Sequence, residues 1–147
     1  MSHSFLLEAG IWTIKGNWLE RDRPAISVEG QTTVSWDRDN WFAISTKLIF
    51  PNSDRGDISS QCRGRLGNDE RSYTYVVKES FLGRMEGEGW LAENSIVQRY
   101  WVLEDRKRRT GFETFYRIDP QNYVLSSGVL SGYHLSNTME AKIKRQK

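Results

Sequence analysis

The chain reads as all-β, a closed antiparallel up-and-down barrel of about ten strands behind a short N-terminal segment. Three observations predict this. Alternation of apolar and polar residues at period two, the mark of half-buried strands, recurs along most of the 147 residues. Turn-forming clusters such as Asp22-Arg23-Pro24, Asp37-Arg38-Asp39-Asn40 and Asp119-Pro120-Gln121-Asn122 interrupt it at hairpin spacing. No stretch carries a convincing helical pattern. A long meander hides its edges by closing on itself; an open sandwich is the alternative architecture.

The strands follow in order. Segment 10–21 places Trp12, Ile14, Gly16 and Trp18 on one side. Segment 25–37 places Ile26, Val28, Gly30, Thr32, Val34 and Trp36 together, and segment 41–50 places Phe42, Ile44, Thr46, Leu48 and Phe50. A longer loop, Pro51 to Asp57, leads to segment 58–66, with Ile58, Ser60, Cys62, Gly64 and Leu66 in phase. Segment 72–81 turns Tyr73, Tyr75, Val77 and Phe81 inward, with Glu79 in the same phase. Segment 83–92 is glycine-rich and aligns Met85, Gly87, Gly89 and Leu91. Segment 95–104 leaves two phases open, Ile96-Gln98-Tyr100-Val102 against Val97-Arg99-Trp101-Leu103. Segment 110–119 favours Phe112, Thr114, Tyr116 and Ile118 inside. Segments 123–131 and 133–145 align Tyr123, Leu125, Ser127 and Val129, then Tyr133, Leu135, Asn137, Met139, Ala141 and Ile143. No repeat, low-complexity stretch or linker divides residues 1–147, so one domain is expected.

Composition narrows the class. Hydrophobic residues are 37% of the chain and aromatics 12%, which suits strands with polar outer positions and large inner ones. Twenty-one basic and 19 acidic side chains give a net charge of +2, which predicts neither a nucleic-acid nor a membrane partner. The one cysteine, Cys62, has no intrachain partner for a disulfide, and Met1 to Gly10 lacks the charge and apolar run of a signal peptide. A soluble cytoplasmic protein is the expectation.

Gly10-Ile11-Trp12 at the start of the first strand resembles the Gly-x-Trp signature of the calycin superfamily, the lipocalins and fatty-acid-binding proteins. The chain also resembles a bacterial group of lipocalin-like proteins, through Thr110-Gly111-Phe112-Glu113 and Met139-Glu140-Ala141. The resemblance implies that Trp12 closes one barrel end with Arg145 lying across it, and that a cavity opens from the other end. A guanidinium over an indole contributes roughly 0.5–2 kcal/mol.

The expected function is non-catalytic binding or transport of a small apolar or amphipathic molecule. Tyr73, Tyr75, Arg99, Tyr100, Tyr116 and Asn137 are the candidate contacts. Arg99 with Tyr116 resembles the carboxylate anchor of fatty-acid-binding proteins, and Glu79 pairs with Arg99 if both point inward. No cofactor and no metal site is expected: His3 lies in a terminal segment that should fray, His134 is out of phase, and Cys62 has no base beside it. The Ser, His and Asp residues lack nucleophile-elbow spacing, so no catalytic residue is named. Two alternatives stand. One is a calycin-type enzyme that handles a bilin chromophore or isomerises a small substrate. The other is an interaction module using the hairpin Arg106-Lys107-Arg108-Arg109, whose bland reading is a solvated turn. Outward apolar residues Ile11, Leu19, Trp41, Ala43, Ile49 and Trp90 make a homodimer the expected cover for that face.

Overall fold

The computed structural model describes residues 3–147. Ten strands form: β1 (Gly10–Glu20), β2 (Ile26–Trp36), β3 (Trp41–Ile49), β4 (Ile58–Leu66), β5 (Ser72–Glu79), β6 (Gly83–Leu91), β7 (Ser95–Val102), β8 (Arg109–Asp119), β9 (Asn122–Ser131) and β10 (His134–Arg145). Each pairs antiparallel with its neighbour in sequence, and β1 pairs with β10 from Trp12↔Arg145 to Glu20↔Asn137, which closes the barrel. Closure leaves no free edge. Among the described residues, no helix is long and apolar enough to cross a membrane.

The alternation from β1 to β6 and in β9 puts the expected residues inside. Segment 95–104 resolves to the phase of Ile96, Gln98 and Tyr100, with Val97 and Arg99 outside. Three expectations are corrected. The phase of β8 is the reverse of the one apolar periodicity favours: Gly111, Glu113 and Phe115 face in, while Phe112, Tyr116 and Ile118 are exposed. The outer wall of this barrel is itself apolar there, so hydrophobicity marks the wrong face. In β10 a bulge between Leu135 and Asn137 inserts one residue and shifts the phase. Tyr133 and Leu135 are therefore exposed, while Asn137, Met139, Ala141 and Ile143 remain buried. Phe81 lies past the end of β5 and is partly exposed.

The N-terminal segment does not fray. Residues 3–9 fold under one end of the barrel and bury Phe5 and Leu6 against it. The Phe5 ring packs on Trp12 at 5.2 Å, Phe115 at 4.9 Å and Tyr123 at 5.6 Å. His3 is buried between Tyr123 Oη and the Ala92 carbonyl, each 2.7 Å away. A carbonyl only accepts, so His3 Nε2 carries the proton and Nδ1 accepts from the phenol. Leu6 holds a φ of 75°, uncommon for a bulky side chain, and its carbonyl accepts from Trp36 Nε1 at 2.8 Å. Arg145 ties the segment down by donating to Glu8 Oε1 at 2.7 Å and to the Ala9 carbonyl at 3.0 Å. Its guanidinium stands 5.7 Å from the centre of the Trp12 ring, and Gly10 leaves the space beside it.

The opposite end is covered by the loop from residue 50 to 57. Its Arg55 sits 4.8–5.1 Å from the ring centres of Trp18, Phe50 and Phe81 and pairs with Glu20 at 2.8 Å. Both barrel ends are thus plugged, one by an apolar strap and one by a cation among aromatic rings.

Candidate functional site

Between the plugs lies an internal cavity of about 150 Å³. Its walls are mostly apolar, including Ile14, Ile44, Leu48, Ile58, Met85 and Leu125. One side is polar. Gln98 and Glu113 face each other across the β7–β8 pair, and Gln98 Nε2 donates to Glu113 Oε1 at 2.7 Å. Tyr73 Oη donates to Gln98 Oε1 at 2.5 Å, so tyrosine, amide and carboxylate form one chain of hydrogen bonds. Tyr75 Oη donates to the Arg99 carbonyl at 3.2 Å. Across the barrel, Thr32 and Thr46 bond to each other at 2.7 Å.

The inward glycines make this wall. A Cβ built on Gly89 would lie 2.1 Å from Tyr73 Cζ, one on Gly87 2.3 Å from Tyr75 Cζ, and one on Gly111 2.1 Å from Tyr100 Cζ. Each ring covers the bare backbone of the next strand. The glycine spacing of β6 and the tyrosine spacing of β5 are therefore two halves of one device, and they set where the phenols stand.

Electrostatics follow from enclosure. Glu113 is pushed above the usual carboxylate range by burial, partly offset by the Gln98 hydrogen bond. Its side chain lines the cavity. Glu79 is raised to about 7, first by burial and then by repulsion from Glu113, against the pull of the Leu82 amide, Arg109 and Arg55. Burial also raises Tyr73, Tyr75 and Tyr100, and pushes the Cys62 thiol up to about 12, so all four stay neutral at physiological pH. Cys62 is not set up as a thiolate nucleophile.

The candidate contacts divide. Tyr73, Tyr75 and Tyr100 line the cavity. Asn137 is buried at the β10 bulge, accepts from Ser136 Oγ at 3.3 Å, and does not line the cavity. Arg99 points outward with its side chain 69% exposed, 3.5 Å from Glu88 and 5.6 Å from the centre of the Trp101 ring. Tyr116 is 53% exposed on the outer wall. Neither reaches the interior, so the Arg99–Tyr116 anchor and the Glu79–Arg99 pair are not formed. Both failures come from strand phase: Arg99 takes the outer phase of β7, and Tyr116 the outer phase of β8. Glu113 is the central polar residue that hydrophobic periodicity passes over, while its partner Gln98 lies in one of the two phases left open for segment 95–104. The signal for Glu113 is Gly111, since a glycine two residues before it supplies the space that Tyr100 needs.

Elsewhere, His134 is exposed. Arg109 of the basic hairpin bonds Asp105 Oδ2 from its Nε at 2.9 Å and from its backbone N–H at 2.8 Å, and these bonds hold Asp105 down at about 2. Among the described residues, no group of three His, Cys, Asp or Glu side chains could hold a metal ion. On the outer wall Ile11, Leu19, Ile49 and Trp90 are exposed, and Trp41 has Arg63 and Arg65 over its ring at 4.8 and 5.5 Å.

No protein-family model and no curated protein matches the sequence. Solved structures share its shape. Rv2717c from M. tuberculosis superposes with a TM-score of 0.74 at 12% identity, over 94% of this chain and 92% of that one. The S-type phycobiliprotein lyase CPES from Guillardia theta gives 0.67 at 12% identity, over 95% and 89%. These likenesses are of fold, a closed antiparallel barrel that in this chain has ten strands.

Proposed function

We propose that the protein binds a small, largely apolar molecule inside the barrel and carries out no chemistry on it. The observation that carries this reading is the internal cavity of about 150 Å³, with apolar walls and one polar side. A dry cavity of about 150 Å³ takes a guest the size of a benzene ring. That size argues against a long-chain fatty acid in the closed barrel. Tyr73, Tyr75 and Tyr100 remain the proposed contacts, joined by Gln98 and Glu113.

Likeness to the phycobiliprotein lyase favours a second reading, in which the barrel handles a bilin chromophore. A tetrapyrrole is several times larger than the cavity, so this reading requires the Arg55 loop to swing away. Native mass spectrometry and an absorption spectrum of the freshly purified protein separate the two. A colourless species carrying a small mass increment, lost in Ser60→Leu, which fills the cavity, supports the first. A coloured adduct of tetrapyrrole mass supports the second. A protein that stays bare and gains no thermal stability from any ring-sized compound contradicts the binding reading.

A further inference from the structure

We infer that the guest is a compact organic cation, a protonated amine or amidine on a ring-sized apolar body, whose N–H groups are received by Glu113 and Glu79. This rests on the reading of the barrel interior as a binding cavity, and it inverts the ligand polarity that an arginine anchor would select.

The first support is the balance of charge. Glu79 and Glu113 line the cavity, and among the described residues no Lys, Arg or His side chain does. The cations whose field reaches Glu79 are Arg55 and Arg109, and each is committed elsewhere, to Glu20 at 2.8 Å and to Asp105 at 2.9 Å. The second support is an acceptor within reach of a guest. Glu113 Oε1 accepts from Gln98 Nε2, and the carboxylate lines the cavity. Charge-assisted hydrogen bonds from a guest's N–H groups to a carboxylate are among the strong ones. The third is the wall itself. The rings of Tyr73, Tyr75 and Tyr100 line the same space, and aromatic rings attract organic cations.

The chemistry gives the proposal a signature. The titratable and charged groups around the two glutamates are Tyr73 and Tyr75 on β5, Cys62 on β4, Tyr100 on β7, Arg109 on β8 and Arg55 from the loop. The phenols and the thiol stay protonated, Glu79, raised to about 7, changes state between pH 5 and 8, and burial raises Glu113 as well. A cationic guest needs a carboxylate. Its binding therefore expels a proton and tightens as pH rises, whereas an anion weakens and a neutral compound is indifferent.

Calorimetric titration of the whole protein with benzamidine, benzyl alcohol and benzoate at pH 5.5 and 8 tests this. At pH 8 benzamidine should bind about tenfold tighter than benzyl alcohol. That advantage should shrink at pH 5.5 and disappear in Glu113→Gln, whose fold is checked separately by circular dichroism and thermal unfolding. Benzyl alcohol matching benzamidine, benzoate binding best, or a preference that survives both Glu113→Gln and Glu79→Gln overturns the cation while leaving the cavity reading in place. No binding by any of the three overturns both.

Discussion

Gln98 Nε2 lies 2.7 Å from Glu113 Oε1, across one antiparallel pair and wholly inside the barrel. The contact fixes which way the amide faces, because Gln98 Oε1 is then the acceptor for Tyr73. The chain from phenol to carboxylate makes one side of an otherwise apolar cavity polar, and four expectations follow from the way the fold supports it.

Glu79 gives stability a pH dependence of definite sign. Folded, it keeps its proton up to about 7; unfolded, it ionises near 4.5. The folded state therefore binds more protons in that window, and stability falls as pH rises through it, by up to about 3 kcal/mol. His3 works the other way. Its burial lowers its affinity for a proton, so its share of stability is lost as pH falls below its ordinary 6.5. Urea unfolding of the protein and of Glu79→Gln at pH 5 and 8 isolates the carboxylate: the variant should gain relative to the parent at pH 8 and match it at pH 5.

Gly89 holds space for Tyr73. A methyl group there would lie 2.1 Å from the ring, so Gly89→Ala must displace the phenol or bend β6. A loss of about 1–3 kcal/mol is expected. Combining it with Tyr73→Ala should recover part of that loss, which a double-mutant cycle by chemical denaturation would read.

The N-terminal strap should count as core. Phe5→Ala removes a ring packed on Trp12, Phe115 and Tyr123 and should cost about 3–5 kcal/mol. Thermal unfolding checks it. A frayed segment would show almost no change.

Arg55 should gate the other end. Arg55→Leu loses the ion pair to Glu20 and the contact with three rings, and should cost about 1–2 kcal/mol. Stopped-flow binding of a ring-sized guest should be faster in the variant than in the parent. An unchanged rate would place the entrance elsewhere.

The barrel was legible because period two and turn chemistry act locally. Trp12-Ile14-Trp18 and Phe42-Ile44-Leu48 announce their inner faces, since large apolar residues stand on that face. The same rule misreads β8, where Phe112, Tyr116 and Ile118 coat the outside and the inside belongs to Gly111 and Glu113. A carboxylate inside a barrel contradicts local hydrophobicity, and only its partners on β7 explain it. Tyr133 and Leu135 were misplaced because the bulge beside Ser136 depends on pairing with β9, which no local pattern encodes. His3 and Phe5 read as a loose end because most of their contacts lie far along the chain, Ala92 and Tyr123 for His3 and Phe115 and Tyr123 for Phe5.

Crystals soaked in bromobenzene probe the barrel interior through the anomalous scattering of bromine. A bromine peak is expected within the barrel, among Ile44, Tyr73, Tyr100 and Glu113, and lost when Ser60→Leu fills the cavity. An interior found solid with side chains, or bromine bound on the outer wall alone, would contradict the cavity reading.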